Sequence, residues 1–314
     1  MKILVTGSTG LVGTALVKAL SQEGHTLCRL LRPQSVVAGG TKTGFDVPWN
    51  PATGELEGAA AGADAVVNLA GASIAGGRWT AARKKLLATS RVDATRQLVT
   101  AVGRLAPPPK VFVSASAVGY YGNRGDEELT EESASGNDFL AGVCRAWEEE
   151  AAKAERHGMR VVQLRFGIIL AKQGGALQKM LPPFRMGVGG RLGPGQQWMS
   201  WVTLADVVRV IQFALEGSAM RGATGVAPLR SGALNVVAPQ PVRNVEFTRA
   251  LAKALRRPAI FPAPAFALRL ALGEMAEALL LSSQRVLPKK LEQAGYTFLH
   301  PEIGGALAAI LTTR

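Results

Sequence analysis

The sequence predicts an α/β fold, and three observations carry the prediction. Lys2 to Thr6 is a short apolar run suited to a buried parallel strand. Glycines follow at 7, 10 and 13, and then Thr14 to Leu20, a segment of helical period with no breaker. Further apolar runs follow at Thr26–Leu31, Val66–Leu69, Lys110–Ser116 and Val161–Leu170, the last three separated by helical segments. That alternation builds a parallel sheet with helices on both faces. At Gly174-Gly175 the character changes to loop-rich, then Pro-rich, then helical. The predicted architecture is a Rossmann-like doubly wound sheet over residues 1–173 with a smaller C-terminal α/β subdomain over 174–314. Some later elements return to the first part.

The glycine turn has a specific chemistry. Gly7 lets the chain turn sharply, Gly10 presents no side chain to a pyrophosphate, and Gly13 lets helix and strand pack closely. Thr9, Leu11 and Val12 complete the turn, and the helix that follows offers free N–H groups to phosphate. Strand, glycine turn and helix in that order indicate a dinucleotide site. The spacing G-x-x-G-x-x-G differs by one residue from the G-x-G-x-x-G fingerprint.

The second strand, Thr26 to Leu31, bears on which nicotinamide cofactor fits. An acidic residue at its end would hold a ribose 2′-hydroxyl, and an arginine a 2′-phosphate. No Asp or Glu occurs from Thr26 to Gly44. Arg32, just after Leu31, is therefore the expected 2′-phosphate contact, with Arg29 a lesser candidate, and the expected cofactor is NADP(H). Pro33 to Gly44 reads as loop, and Val47 to Pro51 as a short edge strand with a turn. Asn68-Leu69-Ala70-Gly71 ends the next strand, where small residues admit a ligand to the backbone. Trp79 to Leu105 reads as one long helical region. Its Arg91 fits either a contact to cofactor phosphates or a surface role. Leu204–Glu216 and Asn244–Leu255 read as helices.

Composition narrows the function classes. Hydrophobic residues make up 47% of the 314, enough for a substantial core. Cys28 and Cys144 lie far apart in sequence, which fits two thiols in a reducing cytoplasm. No signal peptide, membrane span or membrane partner is expected: the apolar stretch Pro262–Leu281 is broken by Pro264, Arg269, Glu274 and Glu277. The net charge of +13 is not gathered into a dense Lys/Arg block with interleaved aromatics, so no nucleic-acid partner is expected. The three histidines are scattered, and no metal site is expected.

Several motifs together carry a family resemblance. They are Thr6 to Gly13, Asn68 to Gly71, Arg78-Trp79, Ser90-Arg91, Ser114-Ala115-Ser116-Ala117-Val118-Gly119-Tyr120-Tyr121-Gly122 and Trp147-Glu148. Gly174-Gly175-Ala176, Pro183-Phe184-Arg185, Gly189-Gly190 and Ala238 to Pro241 belong to the same set. The chain resembles the epimerase-like, atypical extended short-chain dehydrogenase/reductase family, within the NAD-dependent epimerase/dehydratase superfamily. Phe261 to Ile310 resembles that family's small C-terminal domain of unknown function. The resemblance implies a cytoplasmic or stroma-type setting, NADP(H), and Gly7, Gly10, Gly13, Arg32, Leu69, Ala70 and Arg91 facing the cofactor.

One departure matters. Typical members of the superfamily carry Tyr-x-x-x-Lys on a helix, the tyrosine as general acid/base. None of Tyr120, Tyr121 or Tyr296 is followed by lysine at that spacing. On the helix Phe139–Arg156, counting back from Glu148, the expected positions hold Leu140 and Cys144. Two readings follow. In one, the protein is an oxidoreductase or nucleotide-sugar-epimerase-like enzyme with a relocated acid, Tyr121 or Tyr120. Ser114 and Ser116 would orient the substrate, and Arg124 or Arg145 would supply a cation. In the other it binds NADP(H) without turnover, as a regulatory or scaffold protein. The substrate side is the Gly174–Trp201 region, where Arg185, Arg191 and Gln197 suit an anionic or sugar-nucleotide group and Trp198 either stacks on a ligand or packs in the core. A monomer or a homodimer is expected.

Overall fold

The computed structural model describes residues 1–32, 44–56, 58–217 and 229–312. The expected loop after Arg32 lies almost wholly outside the described residues. In chain order the first half runs β1 (Lys2–Thr6), α1 (Leu11–Gln22), β2 (Thr26–Leu31), β3 (Gly44–Asn50), β4 (Glu55–Leu56), β5 (Ala65–Asn68), α2 (Ala81–Thr89), α3 (Val92–Gly103), β6 (Val111–Ala117), β7 (Glu128–Leu129) and α4 (Phe139–Ala152). The second half runs β8 (Arg160–Phe166), β9 (Ile168–Ala171), α5 (Gly175–Arg185), β10 (Trp198–Met199), β11 (Trp201–Thr203), α6 (Leu204–Glu216), β12 (Gly232–Val236), β13 (Val242–Arg243) and α7 (Asn244–Leu255). The chain then ends with α8 (Ala265–Leu272), α9 (Glu274–Ala276), β14 (Arg285–Val286), α10 (Lys289–Gln293) and α11 (Ile303–Thr312).

Eight strands form one sheet in the order β12-β8-β6-β5-β1-β2-β3-β4, and β3–β4 is the antiparallel pair in it. From β1 the chain builds outward through β2 and β3, then returns to the other side of β1 with β5 and β6. The crevice between β1 and β5 is thus the topological switch point, where ligands bind in such sheets. Apolar residues face both ways because both faces are covered. Ile3, Val5, Leu16, Val113, Val207 and Ile211 fill one layer. Leu4, Cys28, Val66, Leu98, Val102 and Phe112 fill the other. β12 lies beyond residue 173 in sequence and joins this sheet beside β8.

Where local structure departs from the sequence reading, a specific contact is responsible. The single helical region expected at Trp79–Leu105 is two helices, broken at Ser90-Arg91. There the Ala72 N–H donates to Ser90 Oγ at 3.1 Å, and Arg91 Nη2 donates to the Ala72 carbonyl at 2.9 Å. The break clamps the loop that follows β5. The strand expected at Val161–Leu170 divides at Gly167 into β8 and β9, because β9 leaves the sheet to pair with β11. The segment after Gly174 contains α5, with Pro182 and Pro183 inside it. The short edge strand expected near Val47 is the longer β3, parallel to β2, and the edge position falls to β4.

Candidate functional site

The site starts at the turn between β1 and α1. Gly7 has φ +66°, and a Cβ there would lie 2.6 Å from the Leu69 carbonyl carbon and oxygen. Gly10 N–H closes the turn on the Gly7 carbonyl at 3.0 Å. A Cβ on Gly13 would overlap the same Gly7 oxygen, so helix and strand meet with backbone against backbone. Helix α1 has no side-chain cap and no acidic residue in its first turn. Its leading N–H groups and positive dipole end therefore face the crevice without a protein anion. Ser8 Oγ is buried beside them with no hydrogen-bond partner. Buried hydroxyls are rarely left unpaired, and the chemistry here is that of a pocket for an anionic group. Leu11 reaches the start of α5, where a Cβ on Gly174 would sit 2.9 Å from Leu11 Cδ1.

The two arginines of β2 are not alike. Arg29 is committed to Asp46 on β3, with Nε and Nη2 donating at 2.7 and 2.8 Å. That pair removes the lesser candidate for a phosphate contact. Arg32, at the open end of the strand, is exposed and has no hydrogen bond or ion pair among the described residues.

Across the crevice, in-register polar residues hold the end of β5. Thr6 aligns with Asn68, and Asn68 with Ser114. Thr6 Oγ1 donates to Asn68 Oδ1 at 2.7 Å and accepts the Leu69 and Ala70 N–H groups at 3.2 and 3.3 Å. Asn68 Nδ2 donates to Thr95 at 2.9 Å and to Ser114 at 3.3 Å. Trp147 Nε1 donates to the same Thr95 hydroxyl. The Asn68 side chain is thus spent inside the protein. It sets the Leu69-Ala70-Gly71 backbone and is not itself turned to a ligand. Arg91 packs on Gly71, donates to the Ala72 and Leu87 carbonyls and lies over the Trp147 ring.

A second polar row lies one strand further on. Ser116 aligns with Arg165, and Arg165 with Asn235. Arg165 donates from Nε and Nη2 to the two carboxylate oxygens of Glu148, both at 2.8 Å. Ser116 Oγ donates to Glu148 Oε1 at 2.6 Å. Arg165 Nη1 donates to the Tyr121 hydroxyl at 2.9 Å, which donates to Asn235 Oδ1 at 2.7 Å. The Arg165 guanidinium also stacks 3.5 Å from the Tyr120 ring centre. Burial pushes the Tyr121 hydroxyl up to about 12.

The hydroxyls expected to be catalytic all lie within or against this network. Ser114, Ser116 and Tyr121 are buried and hydrogen-bonded inside the protein, and Tyr120 is covered by Arg165. The cation beside Tyr121 is Arg165, whereas Arg124 pairs with Glu127 and Arg145 donates to Ser135 and Gly136. The available signal was a lone arginine inside the apolar run of β8, matched by a glutamate on a helix. Leu140 and Cys144 do lie together, both buried on the face of α4 toward Gly119. Leu140 joins Trp79, Leu87 and Met275 in an apolar cluster that ties α4 to α9. Trp198 is held by Asp126 and flanked by Arg243 and Arg285, and Gln197 Nε2 donates to the Leu192 and Leu280 carbonyls. Arg185 and Arg191 are exposed. Among the described residues no group of His, Cys, Asp or Glu is arranged to hold a metal ion.

The profile of the NAD dependent epimerase/dehydratase family matches residues 3–224. The chain belongs to that family. Residues 263–310 match a domain of unknown function. Within the family, Epimerase family protein Mb2239 of Mycobacterium bovis is 41% identical over 99% of this chain and 98% of its own length. The chloroplastic Epimerase family protein SDR39U1 homolog of Arabidopsis thaliana is 39% identical over 99% of this chain and 87% of its own. The crystal structure of the human epimerase family protein SDR39U1, isoform 2, with NADPH superposes with a TM-score of 0.83, 32% identity and 99% coverage of both chains. A nucleoside-diphosphate sugar epimerase from Corynebacterium glutamicum is 34% identical with a TM-score of 0.75, covering 99% of this chain and 58% of that one.

Proposed function

We propose that this family member binds NADP(H) at the β1–β5 crevice and acts as an oxidoreductase on a small-molecule substrate. The observation that carries the proposal is the acid-free, uncapped start of α1 beside the orphaned Ser8 hydroxyl. Gly7, Thr9, Gly10, Leu11, Val12 and Gly13 would hold the pyrophosphate. Leu31 and Arg32 would hold the adenosine ribose and its 2′-phosphate, and the Leu69 to Gly71 backbone and Arg91 the remainder. The NADPH-bound human relative supports the choice of cofactor. Residues 1–173 supply most of this side, and 174–314 the substrate side, in a cytoplasmic setting.

When bound, the cofactor supplies or accepts a hydride. The chain's own residues limit what else happens there. Leu140 and Cys144 cannot shuttle a proton as a tyrosine–lysine pair does, and burial pushes the Cys144 thiol up to about 12. Epimerising a nucleotide sugar through its ketone needs a proton taken from and returned to a hydroxyl. Hydride transfer to an acceptor that takes its proton from water does not require that pair. The second reading, a non-catalytic NADP(H)-binding regulatory or scaffold protein, is favoured by the same two residues.

Fluorescence titration with NADPH and NADH tests the cofactor. Tight NADPH binding, weaker NADH binding, and a loss confined to NADPH in Arg32→Ala are expected, of roughly tenfold or more for one charged contact. Absence of binding by either nucleotide overturns the proposal. NADPH consumption followed at 340 nm with quinone, flavin and carbonyl acceptors then separates the two readings.

A further inference from the structure

Among the described residues, most of the large exposed apolar side chains are gathered in one place. Met186 and Val188 follow α5, Ile260 and Phe261 follow α7, and Phe266 and Leu270 lie one turn apart on α8. Each is more than half exposed, and Leu270 reaches 77%. The segments are neighbours in space. Ala263 N–H donates to the Arg191 carbonyl at 2.9 Å, and Gly193 N–H to the Ala263 carbonyl at 2.8 Å. Gly187 lies against Pro258, Gly190 against the Phe261 backbone, and Gly193 against Ala265. Helix α8 reads Ala-Phe-Ala-Leu-Arg-Leu-Ala-Leu and has no buried residue at all. Apolar surface gathered in this way marks a contact site.

The charge around it is mainly basic, the exception being the exposed Glu277, which pairs with Arg269 of α8 at 2.9 Å. No aspartate or glutamate occurs from Lys172 to Ala205 or from Phe247 to Gly273, the two segments that form the patch. Arg185, Arg191, Lys253, Arg256 and Arg257 are all exposed along its rim. Helix α7 closes with Arg256 in a left-handed conformation, φ +53°, next to Arg257. An apolar centre within a basic rim is complementary to an anionic bilayer surface: acyl chains take the aliphatic and aromatic groups and lipid phosphates take the arginines. A second copy of this chain fits poorly, because a two-fold contact would set this rim against itself.

We infer that the surface formed by α8 and the Met186–Arg191 and Arg256–Phe261 segments docks the protein on anionic phospholipid membrane. This is an interfacial contact, not a span: among the described residues no helix is long and apolar enough to cross a bilayer. The expectation of no membrane partner rests on the absence of a span and does not address this surface. The inference is independent of the cofactor.

Co-sedimentation of the full chain with vesicles tests it, using phosphatidylcholine alone and phosphatidylcholine with roughly a quarter phosphatidylglycerol. Binding to the anionic vesicles only is expected, weakened at about 0.5 M salt. The double variant Phe266→Glu/Leu270→Glu should reduce it by roughly tenfold or more. Arg256→Gln/Arg257→Gln should weaken it less and flatten its salt dependence. All four positions are exposed, and an unchanged circular dichroism melt verifies folding. No binding to anionic vesicles, or equal binding by the Phe266/Leu270 variant, overturns the inference. So does a vesicle-free dimer that this variant converts to monomer, which would assign the face to a second copy.

Discussion

Glu148 on α4 and Arg165 on β8 meet through a two-pronged ion pair, 2.8 Å on each side, with both side chains almost wholly buried. The pair sits where β6, β8 and β12 end, and it also fixes Ser116 and Tyr121. Two charges removed from water at that depth are stable only together. Glu148→Gln or Arg165→Met should each destabilise the fold by about 3–5 kcal/mol, since either leaves an unpaired buried charge. The double variant should lose less than the sum of the two. Urea unfolding of the three variants gives the coupling directly. Simple additivity would show that the pair does not act as a unit.

Tyr121 predicts an alkaline limit. Its hydroxyl stays protonated in the folded state to about 12, whereas an unfolded tyrosine titrates near ~10. Below pH ~10 both states hold the proton, and the contribution to stability is fully present. Between pH ~10 and 12 only the folded state holds it, so stability falls with rising pH by up to about 1.4 kcal/mol per unit. Tyr121→Phe removes that limb while also losing two hydrogen bonds, so it should start lower and fall less steeply. Unfolding midpoints from pH 8 to 12 measure both slopes. Identical slopes would mean that Tyr121 is not the titrating group.

How far the sequence carried the fold depends on how local the cause was. The β1 turn was legible because the reason for each glycine lies within a few residues or in the neighbouring strand. Helices α6 and α7 were legible to the residue, each being amphipathic and followed by a breaker or a left-handed turn. The division of Trp79–Leu105 into two helices was not, because it depends on Ala72 reaching back to Ser90 and Arg91. The surroundings of Tyr121 were not legible for a similar reason: its partners, Arg165 and Asn235, are 44 and 114 residues away. Sequence showed that the catalytic pair is missing but not that its place is filled by an apolar contact between α4 and Met275. The exposed face of α8 was likewise invisible, since an apolar octapeptide ordinarily reads as core.

Cys144 offers the sharpest test of whether that place is dry. Burial beside Glu148 pushes its thiol up to about 12, and burial also raises Cys28 on β2. Only the thiolate alkylates, so at pH 8 a thiol titrating near 12 presents about one thiolate in ten thousand. Neither cysteine is in a disulfide. Iodoacetamide should therefore leave both unmodified for hours in the folded protein and modify both within minutes in guanidinium, read by mass spectrometry. NADPH should not change the folded-state rate, because the thiol is shielded by α4 and the turn after β6. Rapid labelling of Cys144 in the folded chain, suppressed by NADPH, would instead place a wet, reactive thiol at the cofactor. An acid/base function would then return to the helix position where the lysine of the usual pair stands.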